Sequence, residues 1–166
     1  MFAMDFHIEP IQASDLDRIV ELLSAAGLPV EGVVGGQLDE LLVARHVVCV
    51  IGAVGLERHG DYGLLRSLIV AVEHRGRGDG QALTEAVLKS ASEKDKVFLL
   101  TQTAADYFLR FGFRAIPREE AEGAVGASLE FRFACCESAV AMVRERPDEL
   151  WLTRHLALRP QGRATS

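Results

Sequence analysis

The sequence predicts a single α/β domain, a mixed β-sheet with helices on both faces. Three observations carry the prediction. Leu64 to Val72 is almost continuously apolar and rich in branched residues, the pattern of a strand covered on both sides. The run ends in Arg75-Gly76-Arg77-Gly78-Asp79-Gly80, after which Leu83, Val87 and Ala91 recur at helical spacing. A second apolar run, Val97 to Leu100, follows that helix, and strand, helix and strand together make a βαβ unit with parallel pairing and a right-handed crossover.

The remaining elements follow in order. Asp5 to Gln12 alternates loosely and reads as a first strand, ending before Ser14-x-x-Asp17, a capping-box-like helix start. Leu16, Ile19, Val20 and Leu23 form one apolar face, and Gly27 and Pro29 stop that helix. Val30 to Gly36 is glycine-rich and reads as a surface loop. Leu41–Val43 and Val47–Leu56 are branched-rich runs separated by Arg45-His46, consistent with an antiparallel hairpin, and a glycine turn at Gly60 to Gly63 leads into the central strand. The crossover helix spans Gln81–Glu93. Beyond Val97–Leu100, Thr103-x-x-Asp106 resembles another capping box, and Ala104, Phe108 and Phe111 share a helix face before Phe111-Gly112-Phe113. Arg118 to Glu122 with Val125, Leu129 and Phe133 suggests a short helix or irregular connection. Ser138 to Arg144 reads as a last buried strand, and Pro147 to Arg159 as an amphipathic tail helix carrying Trp151.

Composition narrows the function classes. The 166 residues, 49% hydrophobic and 25% charged, suit one globular domain that buries a core without disulfides. A net charge of -6 argues against a nucleic-acid partner, whose affinity would come from Lys and Arg neutralising phosphates. No run approaches the length of a membrane span and the start lacks a basic, apolar leader, so a cytoplasmic location is expected. The three cysteines, Cys49, Cys135 and Cys136, show no C-x-x-C metal spacing. Adjacent strand residues point to opposite faces, which disfavours the Cys135-Cys136 pair as an arsenite ligand.

The glycine turn is where a ligand is expected. Gly76, Gly78 and Gly80 let backbone N–H groups approach an anion while the helix that follows aims its positive end at the same point. The spacing fits neither common nucleotide motif. In a G-x-G-x-x-G fingerprint the third glycine would fall at Gln81, and the Gly-Lys-Ser/Thr triplet of a P-loop is absent.

Arg75-x-x-Gly78-x-Gly80 after a buried strand, followed by Val97–Leu100, helix Ala104–Phe111 and Phe111-Gly112-Phe113, resembles the GNAT superfamily of N-acetyltransferases. The resemblance implies a mostly antiparallel sheet with a central, splayed parallel pair, acetyl-CoA as acetyl donor, a small-molecule amine as acceptor and a homodimer as a common assembly. It assigns the cofactor diphosphate to Arg75, Gly76, Arg77, Gly78, Asp79 and Gly80, and the pantetheine and acetyl carbonyl to backbone atoms of Leu68, Ile69 and Val70. Asp79 departs from the family's usual aliphatic residue. Thr101 stands where an asparagine is frequent, and Phe108 where a tyrosine often serves as general acid, with Tyr107 one step earlier. Val30 to Gly36 falls where the family builds a substrate wall.

Acetyl transfer to an amine needs a neutral amine, a stabilised carbonyl oxygen and a proton for the thiolate. Glu57, after the apolar run Val50–Leu56, is the first candidate base, and an exposed strand-end glutamate is the plainer alternative; His59 and His74 are weaker ones. Tyr107 is the candidate acid. Gly55-Leu56-Glu57, Gly63 to Leu68, Leu99 to Ala105 and Ser138-Ala139-Val140 look like the GNAT branch found among arsenic-resistance genes, which implies an amino-acid-like amine. Arg66, with Ser67 beside it, would then meet a substrate carboxylate, or else pair with an acid on a neighbouring strand. The resemblance spans roughly Ile8 to Arg144, so residues 1–146 are read as the catalytic domain and 147–166 as the tail. A non-catalytic acyl-CoA-binding module and an interaction protein using Leu150, Trp151 and Leu158 are the competing readings.

Overall fold

The computed structural model describes residues 6–36, 38–128 and 138–146. These form a seven-stranded sheet in the order β1-β2-β3-β4-β5-β7-β6. The strands are β1 (His7–Pro10), β2 (Glu40–His46), β3 (Cys49–His59), β4 (Tyr62–Val70), β5 (Lys96–Thr101), β6 (Arg114–Ile116) and β7 (Val140–Glu145). Every neighbouring pair is antiparallel except β4 and β5, the expected parallel pair. The helices are α1 (Leu16–Ala25), α2 (Glu31–Val34), α3 (Asp79–Ser90), α4 (Ala105–Leu109) and α5 (Arg118–Val125).

Packing follows the periodicities. On one face Leu83, Val87 and Leu88 of α3 and Phe108 of α4 close over Leu42, Val54, Leu56, Leu65, Val97 and Leu99. On the other, Ile19, Leu22 and Leu23 of α1 cover Leu41, Val43, Ala53 and Ile69, and Ala121 and Val125 of α5 cover Leu64, Phe98, Ala141 and Val143. Strands between helical layers must be apolar on both sides, and β3 is buried from Val50 to Glu57.

Several local expectations are corrected. The hairpin turns at Val47-Val48, with His46 still paired to Cys49, because Arg45 is held in β2 by ion pairs to Glu9 and Asp15. β3 does not end at Leu56 but runs to His59, which draws Glu57 into the sheet. Val30 to Gly36 contains the short helix α2. The first helical segment is entered through a 3-10 turn, Ala13–Asp15, and the reaching carboxylate is that of Asp15, which accepts the Gln12 N–H at 2.9 Å, in place of the Ser14/Asp17 pair. α4 begins with Thr101 Oγ1 accepting the Ala104 N–H at 3.0 Å, so Thr101, not Thr103, serves its start. β6 was not anticipated; three residues carry too little periodicity to register. Leu129, Phe133, the Cys135-Cys136 pair and the tail from residue 147, with Leu150, Trp151 and Leu158, lie outside the described residues.

Candidate functional site

The site begins with an irregularity in β4. Ala53 faces Ile69 and Gly55 faces Arg66, so Val54 is opposed by two residues, Ser67 and Leu68. Ser67 has a φ of +58°, a left-handed conformation that a non-glycine residue seldom adopts. This β-bulge resets the side-chain alternation: Leu65, Leu68 and Val70 pack on the α3 side, and Ile69 on the α1 side. β4 and β5 are paired only over Tyr62–Leu64 and Lys96–Phe98, while β5 stays with β7 as far as Thr101. The parallel strands therefore separate, and a cleft of about 1300 Å³ lies between them.

The polar backbone of β4 is divided between its neighbours. Ile69 turns its carbonyl to β3, where a Cβ on Gly52 would lie 2.8 Å from that oxygen, and Ala71 donates its N–H to Ile51 at 2.8 Å. Alternation then directs the backbone groups of Leu68 and Val70 into the gap. The Val70 carbonyl accepts Arg75 Nε at 3.1 Å, which folds the arginine back along the strand.

The cleft runs to the glycine turn. Gly76 and Gly78 have φ of +77° and +90°, which fixes glycine there, and a Cβ on either would meet nothing within 4 Å. Gly78 caps α3, whose first N–H groups open beside Arg75, Gly76 and Gly80 in the cleft lining. Donors converging on open space at the start of a twelve-residue helix suit a phosphate group. Asp79 is 3% exposed and lies outside the lining, so its carboxylate is not presented to an anion there and instead complements the helix dipole. Arg77 is exposed at the turn and also outside the lining.

α4 forms the opposite wall. Both Phe108 and Tyr107 line the cleft: Phe108, 6% exposed, packs mainly into the core behind it, and Tyr107 holds its hydroxyl 3.4 Å from Thr84 Oγ1. Thr84 gives its proton to the Gly80 carbonyl at 2.8 Å, which leaves Tyr107 as the donor of that contact. Gly80 lies beside the phenol, and a Cβ there would be in contact with its oxygen at 3.4 Å.

At the floor, the sequence candidates meet one another. Arg66 Nη1 lies 2.5 Å from Glu57 Oε1, with both side chains at most 4% exposed, and reaches Ser128 Oγ at 3.4 Å. Glu57 Oε2 lies 3.0 Å from His59 Nε2. Glu57 is thus neither exposed nor half-buried at a strand end but enclosed, both oxygens engaged, and it does not line the cleft. Arg66 adopts the pairing with an acid on a neighbouring strand, and the acid is Glu57. The guanidinium lies against α2, where a Cβ on Gly32 would be 2.6 Å from Cζ. Glu31, next in chain, lines the cleft with Leu28 and Pro29.

Thr84, Gly32, Glu31 and Ser128 escaped the sequence reading. Thr84, four residues after Gly80, had a usable signal, a hydroxyl one helical turn beyond the cap. A smaller hollow of about 230 Å³ under α5, between Tyr62, Lys96 and Glu120, shares no residue with the cleft.

Comparison with known proteins places this geometry. Residues 37–115 match the family model described as an acetyltransferase (GNAT) domain. Among solved structures, N-acetylglutamate synthase from Neisseria gonorrhoeae, complexed with coenzyme A and N-acetyl-glutamate, superposes with a TM-score of 0.74 at 17% identity. The match covers 89% of this chain and only 36% of that one. Rv2747 from Mycobacterium tuberculosis, in complex with CoA, gives a TM-score of 0.69 at 20% identity over 84% of this chain and 98% of its own. A GNAT-family acetyltransferase from Staphylococcus aureus Mu50 gives 0.71 at 17% identity, over 86% and 99%. The fold is shared with these acetyltransferase structures. No curated protein matches the sequence.

Proposed function

We propose that the chain is an acetyl-CoA-dependent N-acetyltransferase that acetylates the primary amine of a small, amino-acid-like substrate by direct attack in a ternary complex. The observation that carries the reading is the parting of β4 from β5 at the Ser67 bulge, which turns backbone groups of Leu68 and Val70 into a cleft ending at the N-terminus of α3. The GNAT match and the CoA complexes of two fold neighbours support it.

Bound there, acetyl-CoA supplies a thioester carbonyl open to attack by a neutral amine. The turn from Arg75 to Gly80 holds the diphosphate through N–H groups and the helix dipole. Leu68 and Val70 would align the pantetheine arm through their backbone groups as a further strand would be aligned, whereas Ile69, expected to share that role, turns its backbone to β3 and only lines the cleft. A cleft N–H of β4 would stabilise charge on the carbonyl oxygen. The amine nitrogen would bond to the acetyl carbon as the C–S bond breaks. Tyr107, whose hydroxyl lies 3.4 Å from Thr84 Oγ1, would turn its proton from Thr84 to the departing thiolate, and the proton lost by the acetylated nitrogen would return through solvent to the phenolate. Glu57 acts through Arg66: it neutralises and orients the guanidinium next to the bulge, and Arg66 in turn fixes α2 and the acceptor side. Thr101 and Phe108 shape the wall beside the cofactor. The amino-acid-like acceptor and a place in the arsenic-resistance-associated branch rest on the motifs Gly63 to Leu68 and Leu99 to Ala105. We place the enzyme in the cytoplasm.

The engaged state of Glu57 and the burial of Phe108 favour, as a second reading, an acyl-CoA-binding module without turnover. Thiol release from acetyl-CoA across a panel of glutamate-like and other small amines separates the two. Amine-dependent release that falls at least tenfold in Tyr107→Phe and in Glu57→Gln, with acetyl-CoA affinity within about threefold of wild type, supports the enzyme and both roles. Tight acetyl-CoA binding with no release for any amine supports the module.

A further inference from the structure

We propose that Arg110 forms a subsite for the 3′-phosphate of coenzyme A; the proposal rests on the acetyl-CoA reading above and adds a specificity-determining residue to it. Most described arginines face a carboxylate, Arg58 that of Glu40 and Arg66 that of Glu57 among them. Among the described residues, Arg75, Arg77, Arg110 and Arg144 have no such partner, although acids outnumber bases in the chain. Arg144 is accounted for: half-buried under the end of α4, it donates to the Phe111 carbonyl at 2.8 Å. The other three gather around the start of α3 and the cleft rim.

Arg75 and Arg77 flank the turn and share the diphosphate with its N–H groups. Arg110 stands apart from them, just beyond α4. Its guanidinium carbon lies 4.9 Å from the centroid of the Tyr107 ring, and that ring's hydroxyl reaches to Gly80. The phenol therefore stands between Arg110 and the turn, so the diphosphate and Arg110 are served by different parts of the cleft. Stacking fixes the guanidinium plane and leaves its N–H fork for a ligand. Coenzyme A carries one phosphate beyond the diphosphate, the 3′-phosphate of its ribose, and a fork of parallel N–H donors binds such a group in two-point fashion.

The test compares affinities for coenzyme A and 3′-dephospho-coenzyme A, measured calorimetrically on the full chain. Wild type is expected to bind coenzyme A about tenfold tighter, a difference of about 1.4 kcal/mol. In Arg110→Ala the two ligands should bind equally, both at the wild-type affinity for the dephospho form, and Arg110→Lys should restore part of the preference. An equal loss for both ligands, or an unchanged ratio, would overturn the proposal while leaving the cofactor reading intact. Failure of wild type to bind either ligand would overturn the cofactor reading and the subsite with it.

Discussion

Among the described residues two non-glycine residues, Val47 and Ser67, adopt left-handed backbone, and they separate strain at the site from strain elsewhere. Ser67 makes the bulge that opens the cleft, and Val47 occupies the tip of the β2–β3 hairpin, 75% exposed. A β-branched residue in that conformation costs roughly 1–2 kcal/mol. Val47→Gly should therefore raise stability by about 1 kcal/mol in thermal denaturation and leave acetyl-CoA affinity unchanged. Ser67→Val should do the reverse at the site, weakening acetyl-CoA binding by about tenfold, whereas Ser67→Gly should bind within about twofold of wild type. Equal affinities for all three Ser67 side chains would show that the bulge does not shape the cofactor site. Sequence gives no warning of either residue, since positive φ at serine or valine follows from the register of neighbouring strands and not from local propensity.

At the scale of elements, polar side chains tie helical segments to the sheet, and two of these ties yield predictions. Arg45 of β2 pairs with Asp15 at 2.7 Å, at the turn that enters α1. Burial raises the Asp15 pKa, but hydrogen bonds from Arg45 and the Gln12 N–H, with the arginine's charge, outweigh it and hold the carboxyl below its ordinary value. A depressed carboxyl stabilises the fold above its unfolded pKa, about 3.9, and that stability is lost as pH falls through the folded value. Asp15→Asn should cost about 1–3 kcal/mol at neutral pH, and its deficit relative to wild type should shrink as unfolding is measured below about pH 4. The second tie is Arg66 against Gly32 of α2. Alanine in a helix interior gains about 1 kcal/mol over glycine, yet a Cβ here would sit 2.6 Å from a guanidinium held by Glu57. Gly32→Ala should accordingly destabilise by about 1–3 kcal/mol and raise the amine KM with acetyl-CoA affinity within about twofold. A stabilised variant with unchanged KM would mean that α2 is not held by this contact. The strands and α3 were legible because their apolar periods span whole elements. The Arg66–Glu57 pair was open between two readings because sequence names the charges without the register that brings Gly55 opposite Arg66.

For the molecule as a whole, the order of elements sufficed to predict the mixed sheet and its parallel pair, and the glycine turn read from the sequence lies on the cleft at the start of α3. The gap between β4 and β5 came only from the family resemblance, since the bulge at Ser67 that accompanies their parting arises from the register of β4 against β3, which local propensity does not encode. Among the described residues no helix is long and apolar enough to cross a membrane. Everything proposed about chemistry depends on one property, that the cleft between β4 and β5 takes an acyl-CoA against the α3 N-terminus. Calorimetric titration of the full chain with acetyl-CoA tests it directly. The account predicts one site with micromolar affinity, weakened at least tenfold by Gly78→Val, whose side chain neither the +90° φ nor a bound diphosphate would accommodate. Absence of detectable binding to the wild-type chain would contradict the account, leaving a fold shared with acetyltransferase structures and a cleft that takes no acyl-CoA.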